Sequence, residues 1–491
     1  HVLRYDKKFL RPRRSLSVEL SGSWADSDSR MLQISDLAAS SSAENLNQLQ
    51  TQASGTLSAS GEITYSEPIG ERNSFDINYS QNYSRQNSEW LTNDFSPIGN
   101  QYSDFDTLLS AQFQSETLRS RPRLRYTYKS KNEKFTFNTA LSYQYLLLRG
   151  EQHLPYSESI RRDFHNVLPN VNANYKLSKT FSLRLNYGAY TTAPSVHQLQ
   201  TAVDNRNPLS LFVGNEQLQQ TFIHNLSAGG NFANPTKGQS AFFNVNYIHQ
   251  RQYIGFATIV ANSDTLINES IPLAKGGQFA QFTNLGSASS IGSYFTYTHP
   301  LKKIDGELSF SSSLNLARLP VVLNNQASST LNISPYAGIS IEAPLFDEVV
   351  EISAYTGINN QYSRRAFSKE YSQFLNIGSM LSLDVLPAKA WKIGTSFSHG
   401  YTLGFADGLG QNIFYFRADI SYSFMKNRRA TLMLSGNDLL NQNNNLQRSV
   451  TDIYIEDRRT RTLQRYIMLH FSYNFRPDDK GSDDMIFFDP S

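Results

Sequence analysis

The sequence predicts an all-β chain, a transmembrane up-and-down β-barrel of antiparallel strands, and three observations predict it. Hydrophobic residues recur with a period of two through much of the 491 residues, which is the period of a strand. Short polar or Pro-led turns alternate with longer connections, so the two ends of the strands are treated differently. The composition is polar on average, with mean hydropathy −0.45, yet holds 27 Tyr and 31 Phe. That balance suits a wall with one face to lipid and the other to water. No run of about 18 apolar residues exists, so no transmembrane helix is expected. Cysteine is absent, which excludes a disulfide scaffold and cysteine metal sites. A net charge of +3 gives no argument for nucleic acid.

The chain begins at His1 with no charged-then-apolar leader, as expected of a mature chain or a fragment. Residues 1–9 read as the tail of a strand. After a turn at Arg11-Pro12-Arg13, Leu16, Val18, Leu20 and Trp24 alternate with polar residues. Residues 26–55 are rich in Ser, Asn and Gln without periodicity and read as a long loop. Alternation returns near Leu57, turns at 68–73, and continues through Phe75, Ile77 and Tyr79. The next hairpins turn at 131–134 and 178–180. Later ones turn at 234–238, 300–303, 344–347, 387–389 and 426–429, each tight and polar or Pro-led. Longer connections are expected at 92–106, 150–165, 191–224, 259–280 and 437–460. Short turns inside and long loops outside describe a barrel assembled from the periplasm. A soluble sandwich has no reason to keep that asymmetry.

The last strand shows the pattern most fully. Ile467, Leu469, Phe471, Tyr473 and Phe475 fall on one face, and Met468, His470, Ser472 and Asn474 on the other. An apolar face ending in aromatics is how a lipid-facing strand reaches the interface. About eighteen full strands are expected, plus the partial strand at residues 1–9. The last strand must descend to the periplasm. Counting back, the tail at 1–9 also descends, and the even strand number of bacterial barrels implies that its partner precedes the chain.

Specific motifs begin at Thr192. Pro194, Ser195, Gln198 and Leu199 are followed by Asn207-Pro208, then by Gly214-Asn215 and Leu218. Phe282-Thr283-Asn284-Leu285-Gly286 opens a later strand, Asn437-Asp438-Leu439-Leu440-Asn441 closes the penultimate one, and Arg465 to Tyr473 ends the barrel. Together these resemble the barrel of TonB-dependent receptors in the form common among Bacteroidetes outer-membrane proteins. The resemblance covers nearly the whole chain. It implies 22 strands, of which about 18 would be present here, an N-terminal plug and a TonB-contacting segment upstream of His1. Residues 1–475 would be the barrel and 476–491 an acidic periplasmic tail. Gln219-Gln220 departs from the acidic, Pro-containing step that the family places there.

The nine His form no His-x-x-x-His pair, and the sequence holds no Gly-x-Ser-x-Gly elbow. Asp26-Ser27-Asp28-Ser29 lacks the Gly and distal Glu of a calcium loop and reads as solvated. Arg123, Arg125 and Lys129 form a basic row expected to face the lumen, where it either favours anionic solutes or is simply the wet side of the wall. The resemblance implies a non-enzymatic receptor without cofactor, integral to the bacterial outer membrane, taking up a scarce solute such as an iron chelate, oligosaccharide or peptide. Its partners would be outer-membrane lipid, the barrel-insertion machinery, TonB, the solute and a surface lipoprotein, and not nucleic acid. Phe471, Tyr473 and Phe475 would be the insertion signal. The rival readings are a plugless channel or structural barrel, and an outer-membrane barrel enzyme.

Overall fold

The computed structural model describes residues 1–35, 46–204, 210–267, 271–367, 371–404, 411–443, 445–450, 455–460 and 462–475. The expected acidic tail and the Asn207-Pro208 pair lie outside these residues. Twenty-two strands join one sheet. In chain order the first eight are β1 (Val2–Lys8), β2 (Ser15–Ser35), β3 (Leu46–Ile69), β4 (Asn73–Ser96), β5 (Gln101–Lys129), β6 (Phe135–Leu154), β7 (Glu158–Lys176) and β8 (Phe181–Thr192). A helical turn, α1 (Val196–Leu199), and a short strand, β9 (Ser210–Val213), precede β10 (Thr221–Asn234) and β11 (Gln239–Arg251). Then come β12 (Ile254–Val260), a small separate hairpin of β13 (Thr265–Ile267) and β14 (Ile271–Leu273), and β15 (Gln278–Asn284). The sheet continues with β16 (Ser287–Leu301), β17 (Gly306–Leu323), β18 (Gln326–Leu345), β19 (Val350–Arg364), β20 (Tyr371–Ala388), β21 (Trp391–Leu403), β22 (Gln411–Phe424) and β23 (Ala430–Asn437). A second separate hairpin, β24 (Asn445–Val450) with β25 (Ile455–Thr460), precedes β26 (Tyr466–Tyr473).

Three of the twenty-two, β9, β12 and β15, lie outside the meander: they pair with one another, and β12 joins the wall through a short parallel pairing with the end of β17. The other nineteen form one antiparallel meander from β1 to β26, in which each pairs with the next. Eighteen full strands and one partial strand is what the two-residue period indicates. Among the described residues no pairing joins β1 to β26, so the sheet has two free edges.

Faces follow the register. Leu185, Leu226 and Val245 point outward and are exposed, while Asn186, Ser227 and Asn246, their neighbours in sequence, share the inner face. Asn186 Nδ2 donates to Ser227 Oγ at 3.2 Å across that face. Leu469 and Phe471 are 64% and 62% exposed, as expected of apolar residues on the outward face of an edge strand of a membrane wall. Turns on one side are short. Between β17 and β18 on the other side, Asn324 and Asn325 both take positive φ (48° and 63°), the two-residue turn that matches strand twist.

Several expected loops are corrected. Residues 26–55 are not one loop, because β2 runs to Ser35 and β3 starts at Leu46, with Asp26 to Ser29 inside β2. The 92–106 connection shrinks to 97–100, and the 150–165 connection to 155–157. Within 191–224 lie α1 and β9, so a helical turn does interrupt the strands. The 259–280 stretch contains the β13–β14 hairpin and the start of β15, and 437–460 contains β24–β25. At 24, 24 and 29 residues, β3, β4 and β5 far exceed the ~9–11 residues that cross a bilayer. Their upper halves stand in water.

Candidate functional site

The upper ends of β5, β6 and β7 carry what a membrane barrel wall does not need, a buried apolar core. Phe113, Leu146, Leu148, Ile160 and Phe164 present it, and Val196, Leu199, Leu218 and Phe282 cover it. A second cluster above it joins Leu109 to Val203, Leu211, Val213, Ile271 and Leu273. The described parts of this segment, 193–204 and 210–220, are therefore folded back over the wall, together with the β12–β15 hairpin. Fully burying each such side chain stabilises by about 1.5–3 kcal/mol relative to leaving it exposed, which is enough to hold a segment with little regular structure.

Local chemistry shapes that segment. Ser195 starts α1 with a reciprocal cap: its Oγ accepts the Gln198 N–H at 3.3 Å, and Gln198 Oε1 accepts the Ser195 N–H at 3.0 Å. The chain then runs past Gln152, whose Oε1 accepts the Thr201 N–H at 3.2 Å and whose Nε2 donates to Thr201 Oγ1 at 2.7 Å. At Gly214 the returning chain passes so close to α1 that a Cβ would strike the Gln200 carbonyl oxygen. Asn215 locks the crossing. Its N–H donates to the Gln198 carbonyl at 2.7 Å, its Nδ2 to the Phe282 carbonyl at 3.0 Å, and its Oδ1 accepts the Gln217 N–H at 2.8 Å. Asn284 answers from β15: its Oδ1 accepts the Gln219 N–H at 2.8 Å, and its Nδ2 donates to the Gln219 and Gln252 carbonyls at 3.1 and 3.0 Å.

The structure thus brings together Ser195, Gln198, Leu199, Gly214, Asn215 and Leu218, with Pro194 leading into the cap. It adds Gln144, whose Nε2 donates to Thr191 Oγ1 at 2.7 Å, and Gln152, neither marked by any motif, and it brings Phe282 and Asn284 of the later strand motif to the same place. A cavity of about 20 Å³ lies among Trp90, His197, Gln200, Phe212 and Phe282. That is room for about one water and far below the ~300 Å³ of a small-molecule pocket. This cavity is too small for a solute, and the described residues of the knot build part of the rim of the mouth.

The penultimate-strand motif plays a similar part. Asp438 is fully buried, and its carboxylate oxygens accept the Gln442 and Asn443 N–H groups at 2.9 and 3.0 Å. Asp438 and Asn441 take φ of 48° and 58°, in the left-handed region where Asp and Asn are tolerated. Near the start of β7, Glu158 lies beside Glu216 of the knot, and hydrogen bonding to that second carboxyl, with burial and like charge, holds the Glu158 carboxyl above its ordinary range.

Arg123, Arg125 and Lys129 fall at alternate positions on one face of β5, with Arg119 and Arg121 continuing the column upward. Leu124 points the other way and is half exposed. Phe471, Tyr473 and Phe475 lie on the outer face of the free edge, and the Tyr473 and Phe475 rings meet edge-on at 4.9 Å. Among the described residues no group of three or more metal-ligating side chains converges.

Comparison with known proteins gives three findings. The model of the outer membrane protein beta-barrel family matches residues 7–473. No curated protein matches the sequence. Among solved structures, the ferric citrate transporter FecA in its unliganded form superposes with a TM-score of 0.53 at 10% identity, covering 96% of this chain and 60% of that one. For the copper transporter OprC the figures are 0.52, 11%, 96% and 65%. For BauA, the ferric preacinetobactin receptor from Acinetobacter baumannii, they are 0.50, 12%, 96% and 62%. At such identities the likeness is one of fold, and the chain spans less than two thirds of the length of each of these proteins.

Proposed function

The chain belongs to the outer membrane protein beta-barrel family, and from that premise we propose that this integral outer-membrane barrel is the transport wall of a TonB-dependent receptor for a scarce solute. The observation that carries the reading is the folded knot of residues 193–204 and 210–220, clamped by Asn215 and Asn284 at the long-loop mouth of the wall. A structural barrel needs no such built rim, and a receptor that must hold a solute at its outer face does. The likeness to FecA, OprC and BauA supports the same reading at the level of fold. Solutes of the iron-chelate, oligosaccharide or peptide class fit it. The barrel performs no covalent chemistry under this reading. It receives the solute, while the proton gradient of the inner membrane, relayed by TonB, supplies the energy. Barrel-insertion machinery would read Phe471, Tyr473 and Phe475, and a surface lipoprotein would cap the mouth.

The test uses the complete natural coding sequence in its own host. Solute-limited growth and uptake are measured with and without the energy-transducing TonB protein. Uptake that disappears without TonB is expected. Flux that persists without TonB and rises linearly with solute concentration would replace this reading by that of an open channel.

A further inference from the structure

Resting on the transport reading, we infer that the inner face of β5 is a binding track for hydrophilic polyanions, solutes carrying two or more phosphate or carboxylate groups. Arg119, Arg121, Arg123 and Arg125 follow one another at every second position, so all four guanidinium groups leave the same face of one strand. Successive members are about 6.5–7 Å apart along the strand, and the column is about 20 Å long.

The neighbouring strands do not neutralise it. Across β4 the column faces Asn82, Ser80, Asn78 and Asp76, and across β6 it faces Leu146, Ser142 and Ala140. One carboxylate thus serves four arginines on the adjoining strands, and it is distant: Arg125 Nη1 to Asp76 Oδ2 is 4.0 Å. Glu62, two strands away, acts on Arg123 only through space. The Nε groups of Arg119 and Arg123 are buried without a hydrogen-bond partner. Other inner-face cations do have partners: Lys392 meets Asp384 at 3.2 Å, Arg417 approaches Asp419 at 3.6 Å with its Nε otherwise unbonded, and Arg162 and Arg184 donate to the Gln217 and Asn174 amide oxygens at 3.1 and 3.0 Å. Stacked like charges with unused donors are costly in a partly desolvated lumen. A guanidinium fork is the group that answers phosphate and carboxylate with two parallel bonds. Beside the column, Asn170 and Asn172 of β7 supply amides for the rest of a polar solute.

The experiment is calorimetric titration of the purified full chain in detergent micelles with tripolyphosphate and with citrate, using maltotriose and spermine as neutral and cationic controls. Binding of both anions and of neither control is expected, weakening steeply between about 50 and about 200 mM salt. Arg121→Gln/Arg123→Gln should weaken it by about tenfold or more. Arg184→Gln, an inner-face arginine on β8 bonded to Asn174 Oδ1 at 3.0 Å, should leave it unchanged. Arg121→Lys/Arg123→Lys keeps the charge and loses the fork, so an intermediate loss guards against a double variant that merely misfolds. Heat-modifiable mobility reports folding of every variant. No anion binding by the wild-type chain, no loss in the double variant, or an equal loss in Arg184→Gln would each overturn the track. Binding by purified chain needs no energy coupling. Its failure therefore leaves TonB-dependent uptake standing, and failure of that uptake is read separately, in cells with and without TonB.

Discussion

Gly214 is where one absent side chain decides the shape of the mouth. The chain crosses α1 there against the Gln200 and Gln198 carbonyl oxygens. Gly214→Ala should cost about 1–3 kcal/mol through overpacking and lift the knot segment without disturbing the wall. Limited proteolysis should then cut within the segment much faster, while heat-modifiable mobility stays that of wild type. At the turn end of β3, outside the hydrocarbon layer, Glu67 is held by three groups. Arg14 meets it with two bonds of 2.8 Å, Arg11 approaches at 2.7 Å and the Tyr65 hydroxyl donates at 2.6 Å. The Arg14 guanidinium, then Tyr65, lowers its carboxyl from 4.5 to about 2. A lowered carboxyl pKa stabilises the fold above its ordinary value, and that contribution fades as pH falls toward about 2. The difference in denaturant midpoint between wild type and Glu67→Gln should therefore be constant from neutral pH to about 5 and vanish on further acidification. A difference that grows below pH 4.5 would contradict this assignment.

At the scale of single strands, the outer and inner faces make unequal demands. Leu185 points to lipid and Asn186 to the lumen, so Leu185→Arg should cost about 2–4 kcal/mol at the bilayer midplane and depress membrane-inserted yield, whereas Asn186→Arg should be accepted. Equal yields would reverse the assignment of faces. The last strand is a free edge whose backbone donors and acceptors are open to a template strand, with alternate aromatics to fix the register. Phe475 is 84% exposed beyond Tyr473. Phe475→Asp should lower insertion sharply, and removal of residues 476–491 should not. The reverse result would move the signal into the tail. The strands that the sequence hides share a physical reason. The upper parts of β2 and β3, with Asp26, Ser27, Asp28 and Ser29 on one and Gln48, Thr51 and Gln52 on the other, rise past the apolar band. Where no lipid face has to be made, no period of two is written.

For the whole molecule, nineteen strands in one meander leave β1 and β26 as unpaired edges among the described residues. Open edges invite strand addition. This 491-residue chain by itself should therefore self-associate in detergent, seen as mass heterogeneity in light scattering, and a monodisperse monomer would show that the edges are closed. The wall was legible because lipid forces it: each crossing strand must alternate, and each short turn must carry Asn, Gly, Pro or charge. The contents of the mouth were not. Gly214 and Asn215 stand out as a motif, but nothing local says that Asn215 meets Phe282 or that Gln152 meets Thr201, because these contacts join residues 67 and 49 positions apart. The sequence by itself determined the strand period, the two faces and the asymmetry of turns, since each arises from a residue and its immediate neighbours in lipid or water. Only the tertiary structure decided the knot on β5–β7, the pairing of β12 and β15 outside the meander, and the four-arginine column with its lone carboxylate. Those depend on register between strands distant in the chain, and register is a property of the assembled sheet.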